Sequence, residues 1–282
     1  MVERNDTSMS GRLAGTPLDF QPGEDYAQDL DARDPLASFR SRFHHPRGPG
    51  GKPLIYFTGN SLGLQPRSAL ALVHSEMKDW ADLALGGHFR VSNWSSYKYL
   101  NGGPGAVGGC FVHETHGRDL SLPRLAGWWG NDPATRFRMD PEFVPRAGAD
   151  GWQVSNPPIL AMAPLKAALA IFDEAGPEAL RRKSMVLTGY LEYLVDRLEP
   201  RLYEVITPRD PPARGCQLSL RAGGKAQEIQ KALEKKGVIT DFREPDVIRV
   251  APFPLYNQFH EVWRFSRILA EIAASPLFRD QP

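Results

Sequence analysis

One lysine stands in a setting that suits covalent chemistry. Lys98 lies between two tyrosines in the segment 95–101, and a glycine-rich turn follows at 102–105. An amine that is partly shielded from water can act as a nucleophile or a base, and such lysines form Schiff bases with pyridoxal phosphate. The alternative is an ordinary surface lysine, which the spacing alone favours.

Three further segments carry polar groups that suit an anionic ligand. The paired tryptophans of Gly127–Gly130 can donate indole N–H groups into a pocket, or can belong to a core. Asn156 precedes a predicted helix, so its amide can point to a phosphate or cap the helix. Arg249 faces away from its apolar neighbours on the predicted strand 247–250. Its guanidinium suits a carboxylate, and the alternative is a solvated strand edge.

Two motifs that could indicate other chemistries are not supported. Gly103–Gly108 fits the G-x-G-x-x-G pattern, but it lacks a convincing strand before it and a helix after it. We interpret it as a glycine-rich turn. His113 and His116 are three residues apart, whereas zinc helices need a spacing of four, and we predict no metal site.

Regular elements surround these segments. A short strand at 54–57 precedes the loop Thr58–Gly63, and apolar residues spaced by three and four predict a helix from Pro66 to about Ala84. The later patterns predict a helix at 159–174, a helix from 177, strands at 202–206 and 216–220, a helix at 226–236, strands at 238–242 and 247–250, and a helix from Asn257 to Ala274. This order predicts an α+β domain with a small sheet covered on one face.

Composition excludes several classes of protein. The chain has 282 residues, enough for about two domains. Its 34 Lys+Arg against 33 Asp+Glu leave no field that would attract nucleic acid or an anionic membrane. Two cysteines exclude a disulfide-rich secreted domain, so we expect a reducing, cytoplasmic compartment. Residues 1–20 lack the apolar core of a signal peptide, and the apolar stretch 159–172 is too short for a membrane span.

Eight segments, in chain order, carry a resemblance to a known family. They are Tyr56–Pro66, Ser96–Asn101, Gly127–Gly130, Thr135–Phe137, Ser155–Leu160, Leu187–Leu191, Arg214–Leu218, and Arg249–Pro252 through Asn257. Together they resemble the kynureninases, which are pyridoxal-phosphate enzymes of the aspartate-aminotransferase fold (fold type I). The paired tryptophans and the loop Thr58–Gly63 argue against an aminotransferase or a desulfurase of the same fold.

The resemblance implies a cofactor site. Lys98 would hold pyridoxal 5'-phosphate covalently and then remove the substrate Cα proton. Tyr97 would contact the cofactor phosphate, and Trp128 and Asn156 would reach that phosphate from the neighbouring subunit of a homodimer.

The resemblance also implies a substrate site. Arg249 would hold the substrate α-carboxylate, Ser61 and His88 would lie near the aromatic end, and Asn156 would contribute to the substrate site as well. The implied reaction is hydrolysis of L-kynurenine, or of its 3-hydroxy form, to anthranilate or 3-hydroxyanthranilate and L-alanine.

One departure from the family separates these residues. In the family, well over a hundred residues lie between the equivalents of His88 and the lysine segment, whereas here the segment Arg90–Trp94 joins them almost directly. The missing part holds the central parallel sheet, the aromatic residue that stacks on the cofactor and the aspartate that pairs with its pyridine nitrogen. A splice form, a gene-model error or a degraded copy would each produce this junction.

These observations lead to a domain assignment and to two alternative functions. We expect an irregular N-terminal segment at 1–53, a remnant of the cofactor-binding large domain at 54–157, and a small C-terminal α+β domain at 158–282. One function is that of a kynureninase. The alternative is a catalytically inactive fragment of that enzyme, or another fold-type-I pyridoxal-phosphate enzyme.

Overall fold

The computed structural model describes residues 19–83, 95–138, 141–198 and 202–275. The chain divides into two compact units, of which the first comprises Met1–Ser61 and Phe172–Pro282 and the second comprises Leu62–Ile171. The domain boundaries expected after residues 53 and 157 stay predictions. None of the helices in the described ranges has the length and apolar character needed to cross a membrane.

Six short strands lie in the described part of the first unit and form two sheets. They are β1 (Ile55–Tyr56), β2 (Glu204–Val205), β3 (Leu218–Arg221), β4 (Val238–Ile239), β5 (Asp241–Arg243) and β6 (Val247–Val250). Antiparallel pairing gives a four-stranded sheet in the order β2-β3-β6-β5, and β1 pairs with β4 in parallel. The four-stranded sheet confirms the small sheet that the sequence predicts, and the structure adds that its strands are antiparallel.

Two of the strand predictions need correction. The stretch 238–242, predicted as one strand, is divided at Thr240 into β4 and β5. The two halves pair with different strands, since Val238 lies opposite Ile55 whereas Asp241 lies opposite Arg249. A run of apolar residues does not show which partner each half has. Also, β2 and β3 are shorter than the predicted strands at 202–206 and 216–220.

Four helices in the described part of the first unit contribute to the core cluster on one face of the four-stranded sheet. They are α1 (Glu24–Ala32), α5 (Pro177–Val195), α6 (Ala226–Lys235) and α7 (Phe259–Ala273). The last three confirm predicted helices. Their apolar faces meet the inward side chains of the strands in one cluster, whose fully buried members include Leu187, Leu191, Leu220, Ile248, Val250 and Phe265.

The helix α1 lies in the segment that the sequence analysis expects to be irregular. Its first turn carries two acidic residues, which favour a helix N-terminus, and its Ala27 is fully buried in the core cluster. Asp31 accepts the backbone N–H groups of Phe259 and His260 at 2.6 and 2.9 Å. This carboxylate therefore satisfies donors at the start of α7 from a distant part of the chain, which local sequence patterns do not reveal.

The start of α7 also differs from the prediction. Gln258, not Asn257, is the N-cap residue, and it forms a capping box with Glu261. Asn257 is buried and turns inward. Its amide oxygen accepts the backbone N–H of Phe253 at 2.7 Å, and its amide nitrogen donates to the Tyr56 carbonyl at 3.1 Å. Asn257 therefore ties the start of α7 to β1.

The second unit has less regular structure. It holds α2 (Ala69–Leu83), α3 (Glu114–Arg118) and most of α4 (Ile159–Ala175), and turns make up much of the remainder that is described. The helices α2 and α4 confirm predicted helices. Twelve large apolar side chains are exposed in the described ranges, and eleven belong to this unit: Leu62, Leu70, Met77, Phe111, Leu120, Leu125, Trp128, Phe137, Val144, Val154 and Leu160.

Candidate functional site

In the first unit, a polar cluster lies on the face of the sheet opposite the core. Along β6, Ile248 and Val250 are fully buried, so the intervening Arg249 projects from the other face, as its position in the sequence predicts. Arg249 lies opposite Ser219 on β3 and opposite Asp241 on β5. The sheet therefore places a cation between a hydroxyl and a carboxylate.

Ser61 closes this cluster from the loop after β1. Its Oγ donates to Asp241 Oδ2 at 2.5 Å and accepts from Arg249 Nη2 at 3.3 Å. Arg249 Nη2 also donates to Asp241 Oδ2 in an ion pair. The structure therefore brings Ser61 and Arg249 together, although 188 positions separate them in the chain.

Asp241 is an anion that the sequence analysis does not predict in the site. Burial by itself would raise its pKa, but hydrogen bonds from Ser61 and Arg249 and the charges of Arg249 and Arg243 outweigh burial, and the pKa lies below its ordinary value. Asp241 is therefore ionised at neutral pH. The sequence pattern around Asp241 does not predict this role, because the role depends on the pairing of Asp241 with Arg249 across two strands.

Two buried polar atoms of the cluster have no hydrogen-bond partner among the described residues. They are Arg249 Nε and Asn60 Oδ1. The other amide atom of Asn60 donates to Gln217 Oε1 at 2.9 Å. A buried donor without a partner costs about 1–3 kcal/mol, so such atoms mark places where a polar ligand or water binds. Asn60 and Gln217 both lie in segments that resemble the family, but the sequence analysis assigns them no role.

The loop Gly59–Gly63 fits the G-x-S-x-G pattern of a serine-hydrolase elbow. An elbow requires a strand, a sharp turn and an immediate helix, whereas here α2 does not begin until Ala69. Its serine would also need an adjacent base, and Ser61 Oγ instead donates to a carboxylate that Arg249 already pairs. The loop therefore serves to place Ser61 beside Asp241 and Arg249, and these three residues are called the Arg249 cluster below.

In the second unit, Lys98 lies on a closed turn. The N–H of Asn101 donates to the Lys98 carbonyl at 3.0 Å, and the N–H of Gly102 donates to the Ser96 carbonyl at 2.9 Å. The Lys98 side chain is half-buried, and its Nζ lies 5.5 Å from the centroid of the Tyr97 ring. The structure therefore brings Tyr97 and Lys98 together and holds their backbone in place.

Gly63 packs against this turn so closely that no side chain fits. Its N–H donates to the Tyr97 carbonyl at 3.0 Å. A Cβ atom at position 63 would collide with the Lys98 carbonyl and would lie 2.5 Å from Asn101 Oδ1. Asn101 is fully buried, has a left-handed φ of 57°, and neither atom of its amide has a partner among the described residues. A polar group unsatisfied so near the lysine fits a site that takes a polar ligand.

The remaining predicted site residues are placed as follows. Trp128 is 47% exposed and packs edge-on against Phe137, with ring centroids 5.2 Å apart. Asn156 is exposed, three residues before α4 begins. Neither makes a hydrogen bond to the Lys98 side chain in the described part of the unit, and their predicted roles stay predictions. His88 lies outside the described residues.

Comparison with known proteins decides the family. The family described as the kynureninase C-terminal domain matches residues 180–269. A kynureninase of Koribacter versatilis (strain Ellin345) is 32% identical over 410 positions, which cover 87% of this chain and 97% of the relative. This chain belongs to the kynureninase family. Membership confirms the predicted fold class, that of fold-type-I pyridoxal-phosphate enzymes.

The comparisons also bear on the missing segment. The alignment to the Koribacter kynureninase spans 410 positions, but this chain supplies 87% of only 282 residues. Well over a hundred positions of the alignment therefore have no residue in this chain. A kynureninase of Xanthomonas oryzae pv. oryzae (strain PXO99A) is 59% identical over 175 residues, which are 61% of this chain and 41% of the relative. The chain is a kynureninase sequence that lacks a large internal part.

The apo structure of a cysteine desulfurase from Thermococcus onnurineus NA1 is also similar to this chain. Its TM-score is 0.49 at 16% identity, over 64% of this chain and 46% of that chain.

The cofactor of the kynureninase family is pyridoxal phosphate. The residues of this chain suit two of its groups, the aldehyde and the phosphate. Lys98 offers a half-buried primary amine for the aldehyde, and the unsatisfied amide of Asn101 lies in the same turn. Exposed indole and amide groups at Trp128 and Asn156 are of the right chemistry to donate to a phosphate. By the family resemblance, the carboxylate partner of the cofactor ring would belong to the segment that this chain lacks.

Proposed function

We propose that the site residues of this chain serve the hydrolysis of L-kynurenine, or of 3-hydroxykynurenine, to L-alanine and anthranilate or 3-hydroxyanthranilate. This reaction belongs to tryptophan catabolism and NAD biosynthesis. The observation that supports it best is Arg249, a half-buried guanidinium held by Asp241 and Ser61 with its Nε buried and unpartnered among the described residues. A guanidinium fixed in this way suits the α-carboxylate of an amino-acid substrate.

Each of the site residues has a separate role in the proposed reaction. Lys98 binds the cofactor and moves the proton at the substrate Cα, and Arg249 orients the substrate through its α-carboxylate. Tyr97, Trp128 and Asn156 are donors for the cofactor phosphate, while Ser61, His88 and Asn156 contribute to the substrate's surroundings. Pyridoxal phosphate, when bound, supplies the electron sink that makes the Cα proton acidic. Water then adds to the γ-carbonyl of the substrate, and the Cβ–Cγ bond breaks.

The proposal includes a homodimer in the cytoplasm. The exposure of Trp128 and Asn156 supports a role in which they reach the cofactor of a neighbouring subunit. The balanced charge of the chain and its low content of two cysteines support a reducing compartment without nucleic-acid or membrane partners.

A second candidate is a catalytically inactive member of the family. The observation that favours it is the exposed apolar surface of the second unit, which carries eleven of the twelve exposed large apolar side chains in the described ranges. By the family resemblance, a central sheet would cover such surface in a complete large domain. Patches of this kind favour association or aggregation.

The role of Arg249 is tested by Arg249→Lys in a chain into which the missing segment has been restored from the Xanthomonas relative. A point ammonium cannot reproduce two parallel bonds to a carboxylate. Losing a charge-assisted hydrogen bond costs about 1.5–3 kcal/mol, so we expect the KM for L-kynurenine to rise about ten- to a hundredfold. Cofactor affinity, measured by absorbance titration, should change far less.

The matched control for this experiment is Arg221→Lys. Arg221 lies on β3 of the same sheet, but it is exposed and pairs with Glu204 at the sheet's outer edge. This substitution should leave KM unchanged. An unchanged KM and kcat/KM in Arg249→Lys would remove Arg249 from the substrate site.

A further inference from the structure

The carboxylate of Asp241 is fully engaged within the Arg249 cluster. Its Oδ2 accepts from Ser61 Oγ and Arg249 Nη2, and its Oδ1 accepts from Arg243 Nη1 at 2.7 Å. The Asp241 side chain is 12% exposed and that of Arg249 is 22% exposed, so both partners of the ion pair are largely shielded from water. A shielded ion pair with additional hydrogen bonds is held in one geometry more firmly than a surface pair.

We propose that Asp241 is a positioning residue for Arg249, which fixes the guanidinium so that its remaining donors meet the substrate carboxylate. This inference rests on the proposed function of Arg249. The cross-strand register supports it, because Asp241 on β5 lies directly opposite Arg249 on β6. Ser61 completes the arrangement by bonding to both residues.

The donors of Arg249 are divided between Asp241 and a ligand. Arg249 Nη2 donates to Asp241 and to Ser61, whereas Arg249 Nε is buried without a partner among the described residues. A guanidinium carries five N–H donors, so the hold by Asp241 leaves donors for a second carboxylate.

Charge balance explains why Asp241 does not compete with the ligand. Asp241 pairs with Arg243 as well as with Arg249, so the three residues together carry one net positive charge. A substrate carboxylate therefore still enters a positive site. Without Asp241, two guanidinium groups would remain, but Arg249 would lose the contact that fixes its orientation.

The test measures the Arg249 side chain directly, in the ¹⁵N-labelled chain with the missing segment restored, the same form that tests the role of Arg249. Arginine Nε–H groups give cross-peaks in ¹H–¹⁵N spectra, and Arg249→Lys identifies the peak of Arg249 by its loss. In Asp241→Ala we expect this Nε–H to exchange with water about tenfold faster, since a charge-assisted bond that holds the group is lost. Asp241→Asn keeps an acceptor oxygen and should show an intermediate effect.

The second readout is the Kd for L-kynurenine, titrated against the same samples. We expect about tenfold weaker binding in Asp241→Ala, from the loss of one charge-assisted contact, and a smaller change in Asp241→Asn. Glu204→Ala is the matched control, because it removes an exposed ion pair of the same sheet. It should change neither the Arg249 Nε–H exchange nor the Kd.

The outcomes separate this inference from the proposed function. If Arg249→Lys weakens binding but Asp241→Ala alters neither the exchange nor the Kd, the positioning role is wrong and the proposed function stands. Tighter binding in Asp241→Ala would show that Asp241 competes with the ligand, which also overturns the inference. If wild type and Arg249→Lys bind L-kynurenine equally or not at all, the proposed function fails, and the exchange of the Arg249 Nε–H still decides whether Asp241 fixes it.

Discussion

Purified as it stands, the chain is expected to release anthranilate from L-kynurenine at least about a hundredfold more slowly than a complete enzyme, because small misplacements of reacting groups cost on this order in rate. The electron sink requires a protonated pyridine nitrogen, and the family resemblance assigns the carboxylate that keeps it protonated to the absent segment. The measurement is anthranilate fluorescence. The comparison is a chain with the segment of the Xanthomonas relative inserted between Phe89 and Trp94.

The missing segment also predicts that the purified chain is unstable and prone to aggregate. Without a central sheet to cover it, α2 is predicted to expose Leu70, Val73, Met77 and Trp80. Leu70 and Met77 are 62% and 48% exposed, whereas Val73 is half-buried and the side chain of Trp80 lies outside the described residues. We expect weak or no cofactor absorbance, a broad melting transition and a tendency to aggregate. A chain that melts sharply and turns over L-kynurenine at a measurable rate would contradict this prediction, and would mean that a neighbouring subunit supplies the missing groups.

The second large effect is expected from Asp34→Asn. Lys183 on α5 forms an ion pair with Asp34 at 2.5 Å, and the two side chains are only 5% and 2% exposed. Burial lowers the pKa of Lys183, and the Asp34 carboxylate opposes that shift. Removing one partner leaves an uncompensated buried charge, which costs about 3–5 kcal/mol. The midpoint of urea unfolding should fall accordingly.

Two variants make this prediction specific. Asp29→Asn removes an exposed pair with Arg33 and should cost less than about 1 kcal/mol. The double variant Asp34→Asn, Lys183→Met removes both charges and should recover much of the stability, because an apolar side chain of similar length replaces the buried ammonium. If the single variant Asp34→Asn is as stable as wild type, the ion pair does not stabilise the first unit.

Some of this structure follows from local patterns. The alternation along 247–250 predicts β6 and the side of the sheet on which Arg249 lies, and helical spacing predicts α2, α4, α5 and α6 to within a few residues. These predictions succeed because burial of one face repeats with the period of the element.

Other features depend on contacts between distant segments, which such patterns do not encode. The break between β4 and β5, the capping of α7 by Asp31 and the pairing of Asp241 with Arg249 each depend on a partner elsewhere in the chain. The family resemblance placed Ser61 near the aromatic end of the substrate and Arg249 at its α-carboxylate, and it did not indicate the hydrogen bond between the two side chains. The resemblance likewise supplied the role of Lys98, since its spacing alone favoured a surface lysine.

The central claim is that Lys98 is the cofactor lysine of a kynureninase-family chain, and one labelling experiment tests it most directly. The chain with the segment restored is incubated with pyridoxal phosphate, reduced with borohydride and mapped by peptide mass. We expect the pyridoxyl group on Lys98 and no stable adduct in Lys98→Ala, because the family resemblance assigns the cofactor to this lysine alone. Any label in the chain as it stands should fall on the same lysine. A label on Lys166 or Lys183 in place of Lys98 would contradict the claim.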